Sequence, residues 1–140
     1  LEPKYKSKLF FIKVILIGDV RVGKTSFLYS ATGRSQNTIQ PTMGIDFLST
    51  SVPLHGKNIK VEIWDTVLFT KNKAGAETYR SITSTYYKKA QGVILMFDIG
   101  KKTSFENVKK WNHEVDQKAK NSICKLLIGN KMDLVEDGTV

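Results

Sequence analysis

The segment Gly18-Asp19-Val20-Arg21-Val22-Gly23-Lys24-Thr25 fits the pattern G-x-x-x-x-G-K-[ST]. Residues of these types at this spacing do one kind of chemistry. The glycines let the backbone turn tightly and aim its N–H groups at phosphate oxygens, and the helix that follows adds its positive end. Lys24 would reach the β- and γ-phosphates, and the Thr25 hydroxyl would bind Mg²⁺. Asp19 to Thr25, with Ser26 beside them, are the candidate phosphate-binding residues. A second motif, Asn130-Lys131-Met132-Asp133, identifies the base. The Asp133 carboxylate can accept hydrogen bonds from both the ring N–H and the exocyclic amine of guanine. Adenine presents the opposite pattern and would leave a carboxylate unpaired, which is costly where it is buried.

Both motifs need strands to aim them. Leu9 to Ile17 is nearly continuous apolar, rich in β-branched residues, and ends at Gly18, which predicts a central parallel strand covered on both faces. A helix is expected from Thr25 to Thr32. Phe47 to Leu54 and Lys57 to Trp64 read as strands joined by a His55-Gly56 hairpin turn. Ile59, Val61 and Ile63 alternate with polar residues, as in an outer, half-exposed strand. Gly92 to Phe97 and Lys125 to Ile128 repeat the buried-strand pattern, and Cys124 reads as a buried structural thiol. Thr103 and Glu106 have capping-box spacing, and Phe105, Val108, Trp111 and Val115 then share a helix face directed at the core. No cofactor role is expected for Trp111. Alternating strands and helices predict an α/β fold of the P-loop NTPase type: a mostly parallel central sheet with helices on both faces.

Composition sets the outer bounds. At 140 residues and 41% hydrophobic, the chain suits one domain with its own core, residues 1–140. Its single cysteine cannot form an internal disulfide, and no apolar run approaches the ~20 residues that span a bilayer. The net charge of +9 comes partly from scattered lysine pairs such as Lys88-Lys89, Lys101-Lys102 and Lys109-Lys110. Scatter favours a solvated basic exterior over a binding stripe, with attraction to anionic partners as the alternative. No zinc-ligand set or aromatic RNA-binding signature supports a nucleic-acid partner.

With both nucleotide motifs in place, the chain resembles the Rab branch of the Ras-like small GTPases from about Lys8 to Leu134. The resemblance is carried by Met43-Gly44-Ile45-Asp46-Phe47, Lys60-Val61-Glu62-Ile63-Trp64-Asp65, Tyr79-Arg80-Ser81-Ile82-Thr83, Tyr86-Tyr87-Lys88-Lys89-Ala90 and Leu95-Met96-Phe97-Asp98-Ile99. It implies a GTP/GDP switch with Mg²⁺ as cofactor, acting in vesicle trafficking at the cytosolic face of intracellular membranes. Its partners would be effectors, exchange factors and GTPase-activating proteins, and its membrane contact would run through a C-terminal lipid tail that is not present here. By the same resemblance, Thr42 would bind Mg²⁺ and sense the γ-phosphate, Asp65 would hold Mg²⁺ through water, and Gly75 would offer its N–H to the γ-phosphate. Phe47, Trp64 and Tyr79 match the family's effector-facing aromatic triad.

The chain also departs from that family. Rab proteins usually read WDTAGQE through the second switch, whereas here Val67–Lys73 separate Trp64-Asp65-Thr66 from Ala74-Gly75-Ala76-Glu77. Loop entropy tolerates such an insertion, since doubling a loop costs only ~0.6 kcal/mol. It either bulges outward or displaces Gly75. Ala76 stands where a glutamine orients the attacking water, and a methyl group can neither donate nor accept, so slow hydrolysis is expected. Val20 and Arg21 occupy positions where small residues are usual. Ser35 replaces a phenylalanine that commonly lies against guanine. Relative to the family the last strand and helix are missing, so the expectation is an incomplete nucleotide-binding domain.

Overall fold

The computed structural model of the chain describes residues 10–34, 47–65 and 84–134. Thr42, Gly75, Ala76, Tyr79, Ser35 and the 67–73 insertion lie outside the described residues. Among the described residues five strands form one sheet in the order β2-β3-β1-β4-β5. The strands are β1 (Phe10–Gly18), β2 (Phe47–Leu54), β3 (Lys57–Asp65), β4 (Gly92–Asp98) and β5 (Cys124–Asn130). The helices are α1 (Lys24–Thr32), the helical residues 84–89 (α2), α3 (Lys102–Glu106) and α4 (Val108–Lys118).

β1 is the central strand its sequence predicts. It pairs in parallel with β3 on one side and with β4 on the other. Its alternating side chains feed two cores. Ile15 and Ile17 pack with Tyr87, Ala90, Val93, Leu95 and Val115 on one face. Leu16 packs with Val22, Leu28, Tyr29, Leu48, Ile63 and Met96 on the other. Each fully buried aliphatic side chain of this kind contributes about 1.5–3 kcal/mol, so β1 is held from both sides by the hydrophobic effect. Helices therefore lie on both faces of a mostly parallel sheet, as expected.

The hairpin also forms as read. β2 and β3 pair antiparallel from Phe47↔Trp64 to Leu54↔Lys57. His55 and Gly56 both have positive φ, 48° and 73°, the backbone of a two-residue turn whose twist matches the strands it joins.

Four expectations change. β3 is not an outer strand, because it sits between β2 and β1; alternation reports which face is buried, not the position in the sheet. β5 is largely exposed, with Leu126 at 55% and Leu127 at 49%, and the Cys124 thiol is exposed too. The apolar stripe of α4 lands on β1 and β4, and among the described residues nothing covers the outer half of β5. The 103–106 capping box does not form, since the helix begins at Lys102 with no side-chain cap. Buried Ser104 bridges back instead, accepting from the Asp98 N–H at 2.9 Å and donating to the Lys101 carbonyl at 2.7 Å. Finally, the expected single helix is two segments meeting at Asn107. Phe105 is 53% exposed and meets the ring of Phe97 edge-on, with centroids 4.9 Å apart, while Val115 is fully buried.

Candidate functional site

The C-terminal ends of the parallel strands converge on the loop between β1 and α1. At its start, Gly18 has φ 153°, and a Cβ there would lie 2.2 Å from the Met96 carbonyl oxygen of β4. At its end, Gly23 has φ 97°, and a Cβ would lie 2.2 Å from Asn130 Nδ2. Neither position admits a side chain. Between them Val20 is 55% exposed, Arg21 takes a left-handed φ of 67°, and Val22 turns inward into the core. Val22 can thus offer a ligand only its backbone. α1 follows its N-cap Gly23 without a side-chain cap or an acidic residue in its first turn. Its first N–H groups remain available to an anion.

Lys24 is buried at 4% exposure, and its ammonium donates to the Gly18 carbonyl at 2.8 Å and the Asp19 carbonyl at 2.6 Å. Burial pulls its pKa below the ordinary lysine value, and the negative charges of Asp65 and Asp19 oppose that pull. A cation so placed gains from a phosphate oxyanion. Beside it, the Thr25 hydroxyl donates to Asp65 Oδ2 at 2.7 Å, across from the end of β3. A hydroxyl and a carboxylate in contact are hard oxygen groups suited to Mg²⁺. That ion is commonly held by one or two protein oxygens together with substrate phosphates and water. Among the described residues no group of three or more His, Cys, Asp or Glu side chains forms an all-protein cage. Ser26 is exposed on the first turn of α1.

The second motif reaches the same loop from β5. Asn130 Nδ2 donates to the Val22 carbonyl at 2.9 Å, and Lys131 Nζ donates to the Arg21 carbonyl at 2.6 Å. Lys131 also pairs with Asp98 at 3.0 Å. Burial disfavours the Asp98 charge, but bonds from Lys131 and the Gly100 N–H, with the charges of Lys131 and Lys101, outweigh it. They hold the carboxyl below its ordinary value. Asp133 follows in a short 3-10 turn, Met132–Leu134, and is exposed. Asn130 and Lys131 therefore brace the loop, while Asp133 is left open to a ligand.

Of the three aromatic positions, Phe47 and Trp64 stack with centroids 4.4 Å apart, and Phe47 is 41% exposed. Tyr86 adds a third ring, 4.7 Å from Trp64, which sequence reading did not assign to this cluster. The Trp64 indole N–H is buried without a hydrogen-bond partner among the described residues. Sequence reading also missed Asn107 and Trp111. Asn107 Nδ2 donates to Asp19 Oδ2 at 2.7 Å, and Trp111 Nε1 donates to Asp19 Oδ1 at 2.8 Å. No local pattern signals contacts between residues so far apart in the chain.

A glycine-bounded loop after a central parallel strand, a buried lysine at the start of a helix and an N-K-x-D segment braced on that loop define a Ras-like P-loop GTPase fold. The family model described as "Ras family" matches residues 13–140, and the chain belongs to that family. Within it the similarity is to Rab proteins. Ras-related protein Rab-1D of Dictyostelium discoideum is 46% identical over 132 residues, 94% of this chain and 61% of the relative. GTP-binding protein YPTM1 of Zea mays is 43% identical over 132 residues, 94% of this chain and 60% of the relative. GTP-binding protein yptV2 of Volvox carteri is 43% identical over 140 residues, 99% of this chain and 60% of the relative. The chain thus spans about three fifths of the length of these relatives. No helix among the described residues is long and apolar enough to cross a membrane.

Proposed function

We propose that this chain binds guanine nucleotide with Mg²⁺ and works as a Rab-type switch in vesicle trafficking. The observation that carries the reading is Lys24, a buried ammonium held by loop carbonyls at the start of a helix with no side-chain cap. Its neighbours supply the remaining roles. Backbone N–H groups of residues 19–25 cradle the phosphates, Thr25 and Asp65 hold Mg²⁺, and Asp133 reads guanine. Thr42 and Gly75 complete the γ-phosphate contacts by family resemblance. Mg²⁺ held there would offset phosphate charge. Asn130 and Lys131 keep the loop in shape through the Val22 and Arg21 carbonyls. Effectors, exchange factors and GTPase-activating proteins are the proposed partners, and Phe47, Trp64 and Tyr79 the effector face. The proposed place is the cytosolic face of intracellular membranes.

Hydrolysis is proposed to be slow, because Ala76 supplies no hydrogen bond to a water. That same residue favours a second reading, a partner-binding scaffold that does not cycle. The two differ in one quantity: a switch must bind its effector with different affinity in the GTP and GDP states.

Titration of fluorescent GDP and GTP with and without Mg²⁺ tests the site. Tight, Mg²⁺-dependent binding is expected. Lys24→Ala should abolish it, and Asp133→Ala should weaken it by about a hundredfold or more, the worth of two hydrogen bonds to a charged group. No binding by the folded chain would reject the reading. Single-turnover hydrolysis should then rise in Ala76→Gln; an unaltered, ordinary Rab rate in both would remove the claim of impairment.

A further inference from the structure

Asp19 poses a problem that the nucleotide reading leaves unsolved. It places a carboxylate inside a loop meant to receive an anion, next to the one buried cation of that loop. The structure answers it by dividing the residue. The Asp19 backbone carbonyl faces Lys24 Nζ at 2.6 Å, while both carboxylate oxygens are taken by donors on the far side. Oδ1 accepts from Trp111 Nε1 at 2.8 Å and Oδ2 from Asn107 Nδ2 at 2.7 Å. Asn107 and Trp111 are four residues apart at the start of α4, so their side chains rise from the same helix face. They border a small open cleft whose remaining wall is Lys110 and Glu114.

We propose that Asn107 and Trp111 are positioning residues for the phosphate loop, holding the Asp19 carboxylate against α4 so that Lys24 stays available to a nucleotide phosphate. The inference rests on the nucleotide-binding reading above. The charge argument is direct. A carboxylate free to rotate would compete with phosphate for the Lys24 ammonium and repel the incoming oxyanion, both at short range and partly out of water. Hydrogen bonds to a charged acceptor are the strong ones, and two of them satisfy this acceptor at fixed geometry. Both donors act through Asp19, from a helix outside the glycine-bounded loop and the N-K-x-D segment. Trp111 also packs at the edge of the core cluster around Ile15, Tyr87 and Val115, which fixes the indole from behind. The loop is thereby tied to a helix distant in sequence as well as to β5.

A double-mutant cycle on the whole chain tests this, reading the Kd and release rate of fluorescent GDP. Asn107→Ala and Trp111→Phe should each raise the Kd about tenfold, the equivalent of one charged hydrogen bond. In an Asp19→Ser background, where no carboxylate needs restraining, the same two changes should move the Kd less than about twofold, the additivity expected of uncoupled sites. The indole N–H resonance of Trp111 should shift in Asp19→Ser, which a purely packing role would not produce. An unaltered Kd in the single variants overturns the proposal. So does an equal loss in both backgrounds, which would mark the residues as packing only. Should Trp111→Phe fail to fold, the Asn107→Ala cycle decides alone. If the unmodified chain binds no GDP, the nucleotide reading itself fails; if it binds and the cycle is flat, only the present proposal does.

Discussion

The two ends of the candidate site are built in opposite ways. The phosphate loop leaves the central strand β1, paired on both sides, and its first glycine is enforced by the Met96 main-chain carbonyl, 2.2 Å from where a Cβ would lie. The N-K-x-D segment leaves β5, an edge strand of the sheet among the described residues, and reaches the loop through two side chains. One half is therefore backbone set in the core, and the other is side chains hooked onto that backbone. Damage to the first should cost the fold; damage to the second should cost grip on the ligand while leaving the fold largely in place.

The largest expected effect comes from Gly18→Ala. Its Cβ would meet the Met96 carbonyl, main-chain atoms of a core strand, at 2.2 Å, so the backbone itself must move. Together with a left-handed φ, that should cost about 3 kcal/mol or more and abolish nucleotide binding, read by thermal unfolding and GDP titration. Asn130→Ala should cost about 1 kcal/mol, one hydrogen bond to the Val22 carbonyl, while GDP release accelerates. If the two variants lose equal stability, the contrast between the halves is wrong. The smallest effect is expected from Lys131→Met. Its partner Asp98 has a folded pKa below the ordinary 3.8, so the stability from this pair is present above that value. It is lost as pH falls through the lowered one. Melting curves should differ by under about 1 kcal/mol at neutral pH and draw closer at the acid end, where only the Lys131 bond to the Arg21 carbonyl still separates them.

Where a motif's chemistry is local, the sequence exposed it. β1, the β2–β3 hairpin and β4 each announced themselves through apolar runs or a two-residue turn signal, and the loop through its glycine and lysine spacing. Position within the sheet was harder. Ile59, Val61 and Ile63 alternate equally well in an inner or an outer strand, and the apolar residues of β5 look buried until a covering layer is sought. The capping box failed because the helix begins at Lys102, which places Thr103 inside it rather than at its cap. Least legible was the hold on Asp19. An aspartate at Asp19 and a tryptophan at Trp111 carry no sign of each other along the chain; only the parallel crossover brings them together.

The register of β1 has a kinetic consequence. Phe10 lies opposite Ile59, and Val14 opposite Gly92, so neither parallel neighbour of the central strand is near it in the chain. Such pairings must close long loops before any contact rewards them, and they slow folding. The loop after Gly18 rests on Met96 of β4 and on Asn130 at the end of β5, so its shape depends on strands that must first dock. A ligand that recognises only the finished loop is expected to act late in folding. It holds the native state against unfolding and does little to hasten its formation.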